Sequence, residues 1–236
     1  TGVPSPDSVR FHYSTNSGVS WVAGPFLDPG FASYDFDGNP IVELPSGKLV
    51  VGAYGSNNGG TNQSSVVLAS TDGGATWGSP TTLGTAHNEI IIGRLVSGTL
   101  MALLRGLPDG SIYRCVSTND GVSWTAAGVA FTGTGLPHWV QTPDNKVYVF
   151  YRNLSNGDMY YRISTDEGAN WSAEVLIDVS SQFMVYADSF VLPDGRLFLV
   201  WGDQSSDTVS TINWQTLGGP LRSVGELSLA RGWQGN

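Results

Sequence analysis

Five side chains with usable chemistry stand at matched places in this sequence: Tyr54, Glu89, Arg105, Arg152 and Tyr186. A carboxylate takes or gives a proton, and a guanidinium grips a carboxylate through a planar fork of N–H donors. A phenol attacks once a base draws off its proton. What relates the five is their distance from four short turns, Leu44-Pro45-Ser46-Gly47, Leu95-Val96-Ser97-Gly98, Thr142-Pro143-Asp144-Asn145 and Leu192-Pro193-Asp194-Gly195. Nine residues before the last position of each turn stand Gly38, Glu89, Leu136 and Tyr186, and seven residues after it stand Tyr54, Arg105, Arg152 and Gly202. Residues equally far from a turn between antiparallel strands lie at one height, so these positions are expected to share a rim. Two readings are open at this point. The rim binds a ligand, or it is a set of solvated strand ends whose arginines pair with nearby carboxylates.

The elements that must position these residues repeat. Ser14-Thr15-Asn16-Ser17-Gly18-Val19-Ser20-Trp21 recurs as Ser70 to Trp77, Ser117 to Trp124 and Ser164 to Trp171, with the serines 56, 47 and 47 residues apart. A weaker copy, Ser210-Thr211-Ile212-Asn213-Trp214, follows 46 residues later and has lost the turn. Each full copy reads as a hairpin turn: the Asp or Asn side chain accepts backbone N–H groups, glycine takes a positive φ, and the tryptophan folds back between sheets. Apolar runs such as Lys48-Leu49-Val50-Val51 and Arg196-Leu197-Phe198-Leu199-Val200 follow the other turns. One unit is therefore strand A, turn, strand B, loop, strand C, Asx turn, strand D. Four antiparallel strands in roughly 45 residues make a propeller blade.

The expected fold is an all-β propeller filling residues 1–236 as one domain, with four full blades over about 35–219. Residues 9–27 supply strands C and D of a further blade, and 221–229 could give its first strand, closing a five-bladed ring. A fragment of a six-bladed protein is the alternative. Strand direction puts the Asx turns and the A–B turns on one face and the rim on the other, where propellers bind ligands.

Composition excludes several functions. With 11 Lys and Arg against 20 Asp and Glu, the net charge is −9 and no basic cluster offers itself to nucleic acid or an anionic membrane. No apolar stretch is long enough to insert into a bilayer, and residues 1–10 carry no visible signal peptide. Three dispersed histidines and one cysteine give no metal-ligand spacing, so neither metal nor cofactor is expected. Cys115 lies in a strand-like run and is expected to be a buried small residue. The glycine-rich stretch 55–60 lacks the Lys-Ser/Thr and helix of a phosphate loop.

With these motifs in view the sequence resembles the sialidase (neuraminidase) superfamily of BNR, or Asp-box, propellers over nearly its whole length. Asn88-Glu89-Ile90 through Leu104-Arg105 is similar to the segment holding the family's catalytic glutamate and an arginine of its carboxylate-binding triad. Tyr186-Ala187-Asp188-Ser189 through Arg196 is similar to the segment with the tyrosine nucleophile, and Ser65 to Ser70 to the blade after the Phe-Arg-Ile-Pro motif. The resemblance implies Tyr186 as nucleophile, Glu89 as its base, and Arg105 and Arg152 as two arginines of the triad. It also marks departures: Asp37-Gly38-Asn39-Pro40 stands where Phe-Arg-Ile-Pro is expected, Ala187 replaces a serine, and residues 52–63 contain no acid/base aspartate. Asp35, Asp37 and Asp203 fall near the rim and no sequence feature selects among them. Asp37 is carried as the catalytic acid and Asp203 as a substrate contact. Tyr54 joins the substrate contacts, as do His138 and Trp139, a pair suited to stacking on a sugar. Loop packing is the other reading for His87 and His138.

Three functions follow as expectations: a propeller that recognises glycans, acidic sugars included; a glycoside hydrolase of exo-sialidase type using Tyr186 and Glu89; and a structural or protein-interaction propeller. Its partner would be a glycan or glycoconjugate, and its setting a larger secreted or virion protein, extracellular or virion-associated.

Overall fold

The computed structural model describes residues 9–36, 40–59, 62–132, 134–179, 183–206, 209–217 and 225–230. These form nineteen strands and, among the described residues, no helix. Strands β1 (Val9–Tyr13) and β2 (Val22–Leu27) make a hairpin. A second sheet holds β3 (Ser33–Asp35), β4 (Val42–Glu43), β5 (Leu49–Ser56), β6 (Ser64–Ser70) and β7 (Thr81–Thr85), with β3 and β4 both pairing β5 as two pieces of one inner strand. The third sheet runs β8 (His87–Arg94), β9 (Leu100–Gly106), β10 (Ile112–Ser117), β11 (Gly128–Phe131). The fourth runs β12 (Thr134–Gln141), β13 (Val147–Asn153), β14 (Met159–Ser164), β15 (Val175–Asp178), and the fifth β16 (Phe183–Val191), β17 (Leu197–Ser206), β18 (Val209–Leu217), β19 (Gly225–Ala230). The repeated A–B–C–D order read from the sequence is therefore the observed one.

The A–B turns share one geometry. In each, the first residue accepts the N–H of the fourth and donates its own to the carbonyl of the fifth, as in Gly47 N to Leu44 O and Leu44 N to Lys48 O, both 2.8 Å. The fourth residue takes a left-handed φ in every case, 79° at Gly47, 95° at Gly98, 64° at Asn145 and 82° at Gly195. Asparagine is the side chain that tolerates this region best, which explains the one exception to glycine.

The Asx turns also form one pattern. The serine hydroxyl donates to the Asx side chain (2.8 Å at Ser14, 2.7 Å at Ser70, 2.9 Å at Ser117, 2.8 Å at Ser164) and accepts the N–H of the glycine four residues on. The Asx oxygen accepts the N–H four residues later, from Ser20, Thr76, Ser123 and Asn170. Those bonds hold the Asp72 and Asp166 carboxyls down at about 2, the side-chain bonds from Thr76 and Asn170 contributing most. A depressed carboxylate stabilises the fold above its ordinary value of 3.8 and loses that contribution as pH falls toward 2. Asp72→Asn copies the asparagine of the Ser14 and Ser117 turns. It is expected to leave the neutral-pH melting temperature unchanged and flatten its fall between pH 4 and 2; an unaltered acid limb would contradict this.

Two of the tryptophans that end these turns pack on the sheet before them. Trp77 meets Phe11 of β1 edge-on at 5.9 Å, and Trp171 meets Phe131 of β11 at 5.6 Å. Trp21, which has no preceding sheet among the described residues, is 63% exposed.

Cα packing divides the chain into two compact units, Thr1–Pro108 with Arg114–Gly128, and Asp109–Tyr113 with Val129–Asn236. In the first, Leu27, Phe36, Val51, Ala53, Val66 and Leu68 form a core between the hairpin and the β5–β6 sheet. Leu100 to Leu104 are wholly buried, as a continuous apolar strand requires. Gly52 lets β5 approach β8, since a Cβ there would stand 3.1 Å from the Ile90 side chain. Cys115 is buried and unpaired in any disulfide, its thiol pushed up to about 11 by burial. In the second unit Phe150, Met159, Ala187, Leu197, Leu199 and Trp201 form the core.

Two strands depart from the sequence reading. Residues 225–230 pair antiparallel with β18, from Val209↔Ala230 to Trp214↔Gly225, as the outer strand of the fifth sheet rather than an inner strand of a closing blade. The weak fifth copy, 210–214, lies within uninterrupted β18. Without an Asx-x-Gly core, nothing bends the chain there.

Candidate functional site

The counting rule marks a structural feature in each sheet where its positions are described. The β8–β9 ladder shifts register between Asn88 and Ile91, the β12–β13 ladder between Gly135 and His138, and the β16–β17 ladder between Val185 and Ala187. The positions nine before each turn, Glu89, Leu136 and Tyr186, are thus β-bulge residues. The positions seven after lie opposite the residue that opens each bulge: Arg105 pairs Asn88, Arg152 pairs Gly135, and Gly202 pairs Val185. Bulges turn a side chain out of the alternation a regular strand imposes. Glu89 and Tyr186 do so with left-handed backbones, φ 40° and 25°, a region non-glycine residues rarely occupy and one associated with functional strain.

In the first unit, the Glu89 and Arg105 side chains, 12% and 20% exposed, form an ion pair with Oε1 2.6 Å from Nη1. Asn88 is buried and donates through Nδ2 to Gln63 Oε1 at 2.9 Å, while the Gln63 carbonyl accepts the His87 N–H at 3.1 Å. Asn88 Oδ1 and Arg105 Nε are shielded from solvent without a hydrogen-bond partner among the protein atoms. Tyr54 is half-buried at the end of β5, between Asp35 and Ser65. Asp35 is exposed, and its Oδ1 accepts the Phe36 N–H at 2.6 Å. Asp37 and Gly38 lie outside the described residues. His87 is buried with its ring over Gly84, where a Cβ would stand 2.5 Å from Nδ1.

In the second unit Tyr186 is 58% exposed, and Arg152 and Asp203 are half-buried on β13 and β17. His138 faces β16: its Nε2 lies 3.1 Å from Ser189 Oγ, 3.2 Å from the Ser189 N–H that it accepts, and 3.4 Å from Asp188 Oδ1. All three partners meet one nitrogen, so this is not a serine–histidine–aspartate relay, which needs the carboxylate on Nδ1. The arrangement clasps β12 to β16. Trp139 is 8% exposed and stands in the protein interior, presenting no ring face for a sugar.

Burial holds the His138 pKa below its ordinary 6.5 despite the Asp188 carboxylate, which raises it. The folded state therefore binds this proton less readily than the unfolded chain. The resulting stability is fully present above pH 6.5 and is lost as pH falls from there toward the lower folded value. His138→Asn should flatten the decline of the melting temperature below pH 6.5; an equally steep decline would show that another group sets it.

Gln63 and Asn88 were not singled out from sequence. Asn88 was within reach, since it stands opposite Arg105 in the same ladder; Gln63 sits in a loop with no period to mark it.

The fold and its repeated turns define a sialidase-like all-β propeller. The chain belongs to the family of BNR repeat-like domains, which matches residues 8–231. Among solved structures, the Hadza microbial sialidase Hz136 superposes with a TM-score of 0.68 at 16% identity, over 95% of this chain and 53% of that one. The chain thus spans about half of that sialidase's length. A protein of unknown function from Dyadobacter fermentans gives a TM-score of 0.66 at 15% identity, covering 98% of this chain and 86% of its own. The α-L-arabinanase of Penicillium chrysogenum, solved with arabinobiose, gives 0.61 at 18% identity, over 79% of this chain and 64% of that one. None of the curated proteins matches.

Proposed function

We propose that this propeller engages glycans through the bulged strand ends, with Glu89 and Arg105 in the first unit and Tyr186 and Arg152 in the second, as a recognition module of a larger protein. The observation that carries the reading is the pair of non-glycine bulge residues, Glu89 and Tyr186, held at φ 40° and 25°. A strand end with no task has no reason to keep either residue there, since glycine would relieve the strain. The solved neighbours support the substrate class: one is a sialidase and another an arabinanase bound to arabinobiose. The same reading keeps five blades, the β1–β2 hairpin being part of the fifth.

Tyr186 gives the direct test. It is mostly exposed, so Tyr186→Ala removes little buried surface and should leave the melting temperature within about 2 °C. On a glycan array the wild-type protein should retain a saccharide that the variant loses. Unchanged array profiles with Tyr186→Ala would contradict the proposal.

A second reading, glycoside hydrolysis, is favoured by the placement of Tyr186, a mostly exposed phenol on a left-handed bulge, since a phenol attacks an anomeric carbon once a base draws off its proton. Turnover of a fluorogenic sialoside or arabinofuranoside that vanishes in Tyr186→Phe would establish it. No turnover with either substrate would leave recognition as the function.

A further inference from the structure

Resting on the glycan reading above, we infer that His138 is a positioning residue that holds the Arg152 and Tyr186 strand ends in one register, and that a proton on its Nε2 releases them. The two strands it joins carry the bulges beside Arg152 and at Tyr186. On β12 the ladder with β13 skips from Gly135, opposite Arg152, to His138, opposite Phe150, so His138 closes that bulge. On β16 the ladder with β17 skips from Val185 to Ala187 around Tyr186, and Asp188 and Ser189 follow directly. The His138 ring reaches from one strand to the other, with Nε2 3.1 Å from Ser189 Oγ, 3.2 Å from Ser189 N and 3.4 Å from Asp188 Oδ1. Between Tyr186 and this clasp stands Ala187, fixed in the core with Phe150 and Trp201. A movement of β16 at Ser189 is therefore carried along a short run of strand to the Tyr186 bulge.

The clasp depends on a neutral ring. An imidazole nitrogen that accepts an N–H carries no proton, so the Nε2 lone pair takes both Ser189 donors, and the ring proton sits on Nδ1. Protonation turns Nε2 into a donor. It then faces the Ser189 N–H donor to donor, and that N–H falls back on its other acceptor, Asp188 Oδ1, at 2.7 Å. The charged ring is drawn toward the Asp188 carboxylate, a side chain 79% exposed against 19% for His138. Water solvates a charge that the sheet interior does not, so the pull is outward and away from Ser189. The titratable groups of the two strands packed on β12 are Tyr148, Tyr151 and Arg152 on β13 and Tyr186 and Asp188 on β16. Burial lowers the proton affinity of the ring, and of those groups Asp188 is the one whose charge opposes it. Burial prevails, so release comes below pH 6.5.

The experiment follows the full chain by nuclear magnetic resonance and by glycan array, with arabinobiose and sialyllactose among the saccharides, as pH is lowered. The Tyr186 and Arg152 amide signals should move with the His138 ring signal, at one midpoint below pH 6.5. Affinity for a retained saccharide should fall about tenfold at about one pH unit below that midpoint, where roughly a tenth of the protein keeps a neutral ring. His138→Leu, which fills the space without an acceptor, should bind at least about tenfold more weakly at neutral pH. His138→Gln puts an amide oxygen in the place of Nε2 and does not titrate, so it should recover binding and hold it as pH falls. A His138→Gln protein that keeps the wild-type pH dependence, or Tyr186 signals that stay still while His138 titrates, would overturn the inference and leave the glycan reading in place. Signals that move together in a protein that retains no saccharide at any pH would support the coupling and overturn the glycan reading.

Discussion

Arg105→Ala lowers glycan affinity by at least about tenfold and destabilises the fold by about 3 kcal/mol. Both effects come from the same geometry. The guanidinium lies 2.6 Å from Glu89, and both side chains are largely withdrawn from water. Removing it takes the bonded guanidinium from a mostly buried carboxylate on a left-handed bulge. At this chain length the loss corresponds to a melting temperature lower by about 10 °C. A double-mutant cycle separates the pair from its parts: Glu89→Ala with Arg105→Ala should be less destabilised than the sum of the two single changes, by about 1 kcal/mol or more. Arg105→Lys keeps the charge but not the fork, so it should recover stability better than binding. Additive single changes, or an Arg105→Ala protein that melts like wild type, would show that the ion pair is a surface contact of little weight.

The second large effect belongs to packing. Trp201→Ala should destabilise the second unit by about 3–5 kcal/mol, the range for emptying a large buried aromatic site. Trp201 is 2% exposed, lies in the core with Phe150, Met159, Leu197 and Leu199, and pairs Ala187, the residue that ends the Tyr186 bulge. The cavity it leaves therefore lies beside the strand that aims Tyr186, and glycan binding or turnover should fall along with stability. Trp201→Phe, which keeps most of the volume, should recover most of both. Tyr186→Ala is the counterpart, removing function with little stability. A Trp201→Ala protein with unchanged melting temperature would contradict the packing described.

The sequence carries the turn chemistry in full, because each turn is decided locally. Ser-Thr-Asx-x-Gly-x-x-Trp holds its own hydrogen bonds, and Leu-Pro-Ser-Gly or Thr-Pro-Asp-Asn places glycine or asparagine where φ is positive. Counting from those turns reached Glu89, Arg105, Arg152 and Tyr186, and the ladders place these residues at or beside bulges. The bulges themselves were not legible, since an extra residue in a ladder depends on what the partner strand does. The partners of His138 are hidden for the same reason: Ser189 and Asp188 are 51 and 50 residues away in sequence and come opposite it only once β12 and β16 pack. In the sequence Trp139 reads as a sugar platform beside His138, but alternation along β12 turns it inward. Strand β19 was misplaced because an outer strand carries no motif of its own, and only its ladder with β18 fixes its sheet.

The most direct test of glycan binding at the bulged strand ends is a crystal structure of the protein soaked with a sugar that binds it in solution. The sugar is expected at a bulged strand end, within hydrogen-bond distance of Arg105 or of Tyr186. A sugar bound away from both bulged strand ends would contradict the glycan reading.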